Sequence, residues 1–401
     1  MTADWDLVRL GDVCTTSSGG TPTKSVREYY DDGTVPWVLS GEVAQGEVFE
    51  AKNHITELGL ANSSAKLFPL DTVLVAMYGA TAGQVGILRT TAATNQAVCG
   101  VLPNDRFVPD YLRYALLNEQ ASMVASAVGN AQPNISQAKV QDVRIPLPPL
   151  EEQKRIVAIL DAAFADIEHS VQKSTASSAL ASDLFRSRRE ELLAASEEAA
   201  VDGVLGDLAE IKHGYAFEGE HFRGDGEYVL LTPGNFHETG GYRDRGHKQK
   251  YFVGPIPHGY VMKQGDLLVA MTAQAPGLLG SPLRVPEGGK FLHNQRLGLV
   301  QPKPGVEWDS RFMFHLLNSE STRAVVELNA TGTKVRHTSP KKMQAVAVRY
   351  PVSLMRQREI ADELDSLLTL TDELGQREHA KSVQVLDLRQ SLLHRAFSGQ
   401  L

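Results

Sequence analysis

The sequence predicts an α+β protein in which one mixed α/β plan is laid down twice, each copy followed by a long helix. Three observations predict it. The stretch from Pro146 to about Leu193 opens Pro146-Leu147-Pro148-Pro149-Leu150-Glu151-Glu152-Gln153-Lys154-Arg155-Ile156 and continues as an unbroken helical pattern. That stretch returns at the C-terminus, because Gln153, Ile156, Leu160 and Asp161 recur as Gln357, Ile360, Leu364 and Asp365, all 204 residues on. Asp183-Leu184 and Asp387-Leu388 keep the same offset. Finally, residues 1–150 and 201–350 share a series of short matches in the same order. The implied division is 1–150, 151–200, 201–350 and 351–401.

Region 1–150 reads as short strands and turns. Val35-Pro36-Trp37-Val38-Leu39, Thr72 to Met77 and Gly86-Ile87-Leu88 are β-like, and Gly19-Gly20-Thr21-Pro22 is a turn by composition. One helix is expected over Pro109–Val124, with Leu112, Ala115, Leu116 and Met123 on one side. A polar loop follows at Gly129–Asn134, then a last short strand over Val140–Ile145.

Region 201–350 repeats this plan. Leu10-Gly11-Asp12-Val13 is matched by Leu205-Gly206-Asp207-Leu208, Val75-Ala76-Met77 by Val269-Ala270-Met271, and Asn95-Gln96 by Asn294-Gln295. Leu116-Leu117-Asn118 is matched by Leu316-Leu317-Asn318, and Gly129 and Ser136 by Gly332 and Ser339. The offset drifts where loops change length, as when one scaffold carries two loop sets.

The two helical stretches share a heptad-like rhythm. The second places Ile360, Leu364, Leu367, Thr371, Leu374, Glu378, Lys381, Val385, Leu388 and Leu392 at alternating spacings of four and three. The first gives Ile156, Leu160, Ala163, Ile167, Ser170, Ser174, Ser177, Ala181, Leu184 and Arg188 at the corresponding places. A repeat averaging about 3.5 residues is a coiled-coil seam, and two of equal length favour mutual pairing over separate amphipathic helices.

Bulk properties are those of a globular chain with 42% hydrophobic and 22% charged residues. No apolar run approaches a bilayer span, so no membrane association is expected. With Cys14 and Cys99 alone, there is neither a disulfide framework nor a cysteine-based zinc site, which points to a reducing cytoplasm. The net charge of −8 is unevenly spread: residues 1–150 carry 10 basic and 15 acidic side chains, and residues 201–350 carry 18 and 15. Basic residues in the latter region cluster at Arg243, Arg245, Lys248 and Lys250 and at Lys334, Arg336, Lys341 and Lys342. Such clusters are also common as plain solvated surface.

Several chemistries lack their residues. Pro148-Pro149 is flanked by Leu147 and Leu150, so it is not the Asn/Asp-Pro-Pro-aromatic motif of base methylation. No Gly-x-x-x-x-Gly-Lys-Ser/Thr phosphate loop occurs. The histidines of region 201–350 show no helical metal-ligand spacing and no cysteine partner. Glu50-Ala51-Lys52 is the kind of tripeptide found in some nuclease sites, but it is common by chance. An enzyme with a divergent active site stays open as the alternative.

The chain resembles the specificity subunit of type I restriction–modification systems over nearly its full length. The residues that carry the resemblance are the Leu-Gly-Asp openings at Leu10 and Leu205, Gly19-Gly20-Thr21-Pro22 with Val35-Pro36-Trp37, and Asn134-Ile135-Ser136. The Pro-Leu-Pro-Pro-Leu-Glu-Glu-Gln-Lys-Arg-Ile run from Pro146 and the terminal Ala396-Phe397-Ser398-Gly399-Gln400-Leu401 complete them. The second helix departs from the pattern, because Pro351-Val352-Ser353-Leu354-Met355-Arg356-Gln357 lacks the double proline and paired glutamates. The resemblance implies two target-recognition domains related by a pseudo-twofold axis and separated by two antiparallel helices. It also implies a non-catalytic, phage-defence subunit that reads double-stranded DNA. Two methyltransferase subunits carrying S-adenosylmethionine would dock on the helices, and restriction subunits using ATP and magnesium would complete the complex. The chain itself would bind no cofactor and no metal.

Polar side chains on loops are the candidate readers, since Asn and Gln pair bidentately with adenine and Arg and Lys with guanine. In the first domain these are Ser40, Tyr78, Thr81, Asn130, Gln132 and Asn134; in the second, Asn235, His237, Thr272, Gln274, Lys334, Arg336 and His337. Arg243, Arg245 and Lys248 join them as the basic cluster. Each of these residue types also serves turns and caps. Asn95-Gln96 and Asn294-Gln295 occupy equivalent places in both halves, which suits a role in the shared fold.

Overall fold

A computed structural model of the chain describes residues 5–127, 134–194 and 200–401. Its backbone contacts divide it into two compact units, Met1–Ser174 with His379–Leu401 and Thr175–Glu378. The helices Leu150–Ala194 and Leu354–Phe397 each run through the boundary, so each unit owns half of both.

In the first unit, a sheet of Thr16–Ser18, Val98–Val101, Val73–Ala76, Val85–Leu88 and Glu47–Val48 lies in that order, with Val73–Ala76 and Val85–Leu88 antiparallel. A second sheet sets Val35–Val38 between Asn53–Ile55 and the parallel strand Ala92–Thr94. The Val73–Ala76 strand is buried on both faces, which explains its unbroken apolar reading. The expected helix at Pro109–Val124 is two, Pro109–Asn118 and Gln120–Ala125, broken at Glu119. The strand expected over Val140–Ile145 is instead the short helix Gln137–Gln141 followed by the strand Arg144–Pro146. Ser136 starts that helix by accepting the Lys139 N–H at 3.3 Å, a side-chain cap that outweighs the local β pattern.

The second unit repeats these parts. Ala209–His213, Leu297–Pro302, Leu267–Ala270 and Pro282–Arg284 form the first sheet, and Tyr228–Leu230 beside the parallel Phe291–Leu292 forms the heart of the second. Helices Ser310–Leu317 and Glu320–Leu328 repeat the broken pair, and Ser339 caps Pro340–Gln344 by accepting the Lys342 N–H at 3.3 Å.

Residues at the 204-residue offset perform equal tasks. Buried Gln153 accepts the Val108 N–H at 2.8 Å and donates to the Pro148 carbonyl at 2.9 Å. Buried Gln357 accepts the Asp309 N–H at 2.9 Å and donates to the Pro351 carbonyl at 2.9 Å. The partner carbonyl lies five residues back in one case and six in the other, so the loss of the double proline is absorbed by one extra residue. Each glutamine pins the start of a long helix to the N-terminus of a helix in its own unit.

The helix halves run antiparallel within each unit. In the first, Arg155 donates to the Leu401 carbonyl and Arg389 lies over the Phe164 ring, while Leu393 and Ala396 join Leu10, Ile156 and Leu160 in one core. In the second, Arg188 pairs with Glu363 at 2.7 Å, and Leu192 and Leu193 share a core with Ile360 and Leu364. The heptad seam holds its expected phase only part of the way. Ile156, Leu160, Ile167 and Ser174 are buried, but Leu184 is 61% exposed and Phe185 packs inward instead. Likewise Leu388 is 50% exposed, and Leu393 and Ala396 take the buried places. A helix of 3.6 residues per turn drifts by about 20° per heptad against a 3.5 repeat, which moves the inward face on by one residue.

Candidate nucleic-acid interface

Two strand ends position the candidates of the first unit. Tyr78 leaves the strand Val73–Ala76 and forms an antiparallel bridge with Asn134, while the Ile135 N–H donates to the Met77 carbonyl at 2.9 Å. Tyr78 is 40% exposed, a high value for an aromatic ring, and Asn134 is exposed beside it. Thr81 donates its hydroxyl to the Tyr78 carbonyl at 3.4 Å and so shapes the turn. Ser40 opens the short helix Ser40–Val43, which packs beside that turn. Ser40, Tyr78, Thr81 and Asn134 are therefore neighbours. Asn130 and Gln132 lie outside the described residues.

The second unit builds the same corner with other side chains. Thr272 pairs with His337, and the Thr338 N–H donates to the Met271 carbonyl at 2.9 Å. Beside this pair lies a cleft of about 800 Å³, lined by Arg243, Arg245, Lys250, Thr272, Gln274, Gln295, Arg296 and His337 among others. Of the expected readers, Arg243, Arg245, Thr272, Gln274 and His337 converge here. Four permanent cations face the cleft against one carboxylate, Glu238, whose pairing with Arg243 at 2.6 Å leaves the other three to set the local field. The Arg245 guanidinium lies flat on Gly234, where an added Cβ would come within 3.0 Å of its Cζ.

The remaining candidates sit elsewhere. His237 is exposed and its Nδ1 accepts from Arg243 Nε at 3.3 Å, but it lines a neighbouring cleft with Phe185, Phe314 and Arg323. Lys248 and Lys334 are exposed and do not line the basic cleft. Arg336 is drawn back to Glu327, 3.2 Å from its carboxylate. Asn235 is 1% exposed: its Oδ1 accepts from the Thr232 N–H and hydroxyl, both at 3.0 Å, and its amide donates to Gln249 at 3.0 Å. It occupies the place of Glu42 in the first half, also buried, whose carboxylate accepts from the N–H groups of Leu39 and Lys52. Both residues tie a loop to the sheet, so Asn235 faces inward rather than outward.

Lining residues that the sequence reading did not name as interface residues include Lys250, His213, Gln295 and Arg296. Lys250 ends the basic run already noted, while His213 ends the strand Ala209–His213, Gln295 and Arg296 sit in the turn before Leu297–Pro302, and only the fold brings them together. Asn95 and Asn294 hold the same turn, accepting the N–H groups of Ala97 at 3.2 Å and Arg296 at 3.0 Å. The side chains that follow them, Gln96 and Gln295, are exposed. No helix among the described residues is long and apolar enough to cross a membrane.

Comparison with known proteins places this geometry in context. A family model described as the type I restriction modification DNA specificity domain matches residues 2–175 and again 201–381. The MjaIX specificity subunit of a type I restriction enzyme from Methanocaldococcus jannaschii is 28% identical over 188 residues, 46% of this chain and 43% of that protein. This chain thus spans less than half the length of that relative. The MjaVIII specificity subunit from the same organism aligns over 99% of this chain and 93% of its own length at 22% identity. A chain from a solved type I R-M system shares the fold at a TM-score of 0.79 and 21% identity, covering 100% of both chains.

Proposed function

The chain belongs to the type I restriction modification DNA specificity family, and from that premise we propose that it is the DNA-reading subunit of a type I restriction–modification complex. Residues 1–150 and 201–350 act as two target-recognition domains, and the helices of 151–200 and 351–401 act as the spacer between them. The target is bipartite, with two different half-sites and an unread gap, because the two recognition corners carry different side chains. The observation that carries this reading is the basic cleft around Thr272 and His337, an electropositive hollow in a chain whose net charge is −8. Phosphate contacts position such a protein and base edges specify the site. Arg245, Lys250 and Arg296 suit the first task, and Thr272, Gln274, Gln295 and His337 the second. In the other domain Ser40, Tyr78, Thr81 and Asn134 take the reading role.

With so acidic a chain, DNA affinity rests on partners that neutralise further phosphates. Two methyltransferase subunits holding S-adenosylmethionine dock on the helices, and restriction subunits supply ATP- and magnesium-dependent cleavage. Family membership suggests no cofactor on this chain, and the subunit performs no chemistry itself. A methyl-transfer assay tests the proposal: the purified chain transfers no methyl group, and the methyltransferase subunit becomes sequence-specific only when the chain is added. Transfer by the chain alone would sink it.

A further inference from the structure

We infer that the residue pairs Tyr78–Asn134 and Thr272–His337 are the equivalent specificity-determining positions of the two domains, each reading a base pair of its own half-site. The inference rests on the DNA-reading function proposed above and assigns it to particular side chains.

The two pairs are fixed by the same backbone. Each lies where the strand leaving the buried sheet meets the segment that leads into a serine-capped helix. Tyr78 bridges Asn134 as Thr272 pairs with His337, and the next bonds, Ile135 N–H to Met77 and Thr338 N–H to Met271, are both 2.9 Å. Ser136 and Ser339 then cap their helices, and the side chains of Lys139 and Lys342 each donate back to a preceding carbonyl, those of Ser126 and Asn329. The bridge, the adjoining hydrogen bond and the serine cap are kept, and the side chains presented at the bridge are not. A pair that serves the fold turns inward even where the residue type changes, as Glu42 and Asn235 do, whereas Tyr78, Asn134 and His337 are exposed. A pair that differs in size, shape and donor pattern at equivalent places suits two different ligands.

Rigidity and surroundings fit the same role. The His337 main chain exchanges two hydrogen bonds with Thr331, at 2.8 and 3.0 Å, besides its pairing with Thr272. Its Nδ1 lies 3.3 Å from the Thr272 hydroxyl, which orients the ring and leaves Nε2 as the atom to meet a base edge. The pair lines the cleft together with Arg243, Arg245, Lys250 and Arg296, so the reading group is ringed by side chains suited to phosphate.

The test is selection from a randomised target pool by the complete complex with its methyltransferase partner. The wild-type complex enriches two half-sites. The double variant Thr272→Tyr with His337→Asn, which transplants the first pair into the second domain, changes the preferred base at one or two positions of one half-site. It leaves the other half-site as it was. The exposed single change His337→Ala guards against a double variant that does not fold, and it relaxes preference about tenfold or more at one position. Two outcomes overturn the inference. One is an unchanged base profile in a folded His337→Ala complex; the other is an equal loss of affinity for all sequences, which marks a phosphate contact. If the wild-type complex enriches no half-site, the DNA-reading function itself fails, and that result is distinct from either.

Discussion

The Nε2 of His315 lies 2.8 Å from Oδ1 of Asp365, joining the helix Ser310–Leu317 to the C-terminal helix. The first half has Tyr114 in the same role, its hydroxyl donating to Asp161. Burial alone would raise the Asp365 pKa, but the hydrogen bond and charge of His315, with Arg311 nearby, hold it below its ordinary 3.8. A depressed carboxylate pKa contributes stability above the unfolded value and loses it as pH falls through the folded one. Asp365→Asn is therefore expected to lower the urea midpoint at pH 7 by the equivalent of about 1–3 kcal/mol. The gap between variant and wild type narrows below about pH 4, which paired urea titrations will read.

His293 acts in a higher pH range. Its ring is fully buried, with Nε2 donating to the Leu297 carbonyl at 3.0 Å, and burial chiefly lowers its pKa from 6.5 to about 4. The unfolded chain binds the extra proton between those values, so this group's stabilising contribution is complete above 6.5 and falls as pH drops towards 4. The loss amounts to about 3 kcal/mol. Wild type is expected to show a steeper decline in unfolding free energy between pH 6.5 and 4.5 than His293→Gln does.

Removing the amide of Gln153 or Gln357 strands buried backbone partners at the start of a long helix. Gln153→Ala and Gln357→Ala are each expected to cost about 2 kcal/mol or more. Hydrogen exchange will locate the loss at Val108 in one variant and at Asp309 in the other.

Arg245 and Arg296 line the cleft without a carboxylate partner there. Alanine at either position is expected to weaken binding by the complete complex roughly equally for all sequences. The slope of log affinity against log salt will fall by about 1 for each phosphate that is no longer neutralised.

Seven residues inserted after Ser177 together with seven after Lys381 add about 10 Å of helix. If the helices act as a spacer, the unread gap lengthens by about three base pairs or binding is abolished. Methylation mapping will report both half-sites unchanged. Altered half-sites would contradict the spacer role.

Much of this arrangement was legible in the sequence because duplication exposes it. Gln153 and Gln357 stand out at one offset because both perform one clamping task, accepting from a backbone N–H and donating to a carbonyl. The candidate readers were harder to place, for a physical reason. Asn134 and Asn235 are the same residue type on similar loops, yet one is exposed and the other is sealed inside a loop. Burial depends on a partner, Gln249, fourteen positions away. His213 and Arg296 meet Thr272 only because three strands end at one rim. The outward turn of Leu184 and Leu388 arises from a small angular drift that accumulates along the helix, which a repeat count does not register.

The interleaving of the two compact units has a consequence for how the protein is made. Thr175–Glu378 is one continuous stretch, so all of that unit is synthesised before the last stretch of the other. The unit that begins the chain must wait, because Leu393 and Ala396 complete the core around Leu10 and Ile156. Along this polypeptide, the half synthesised first is the half finished last.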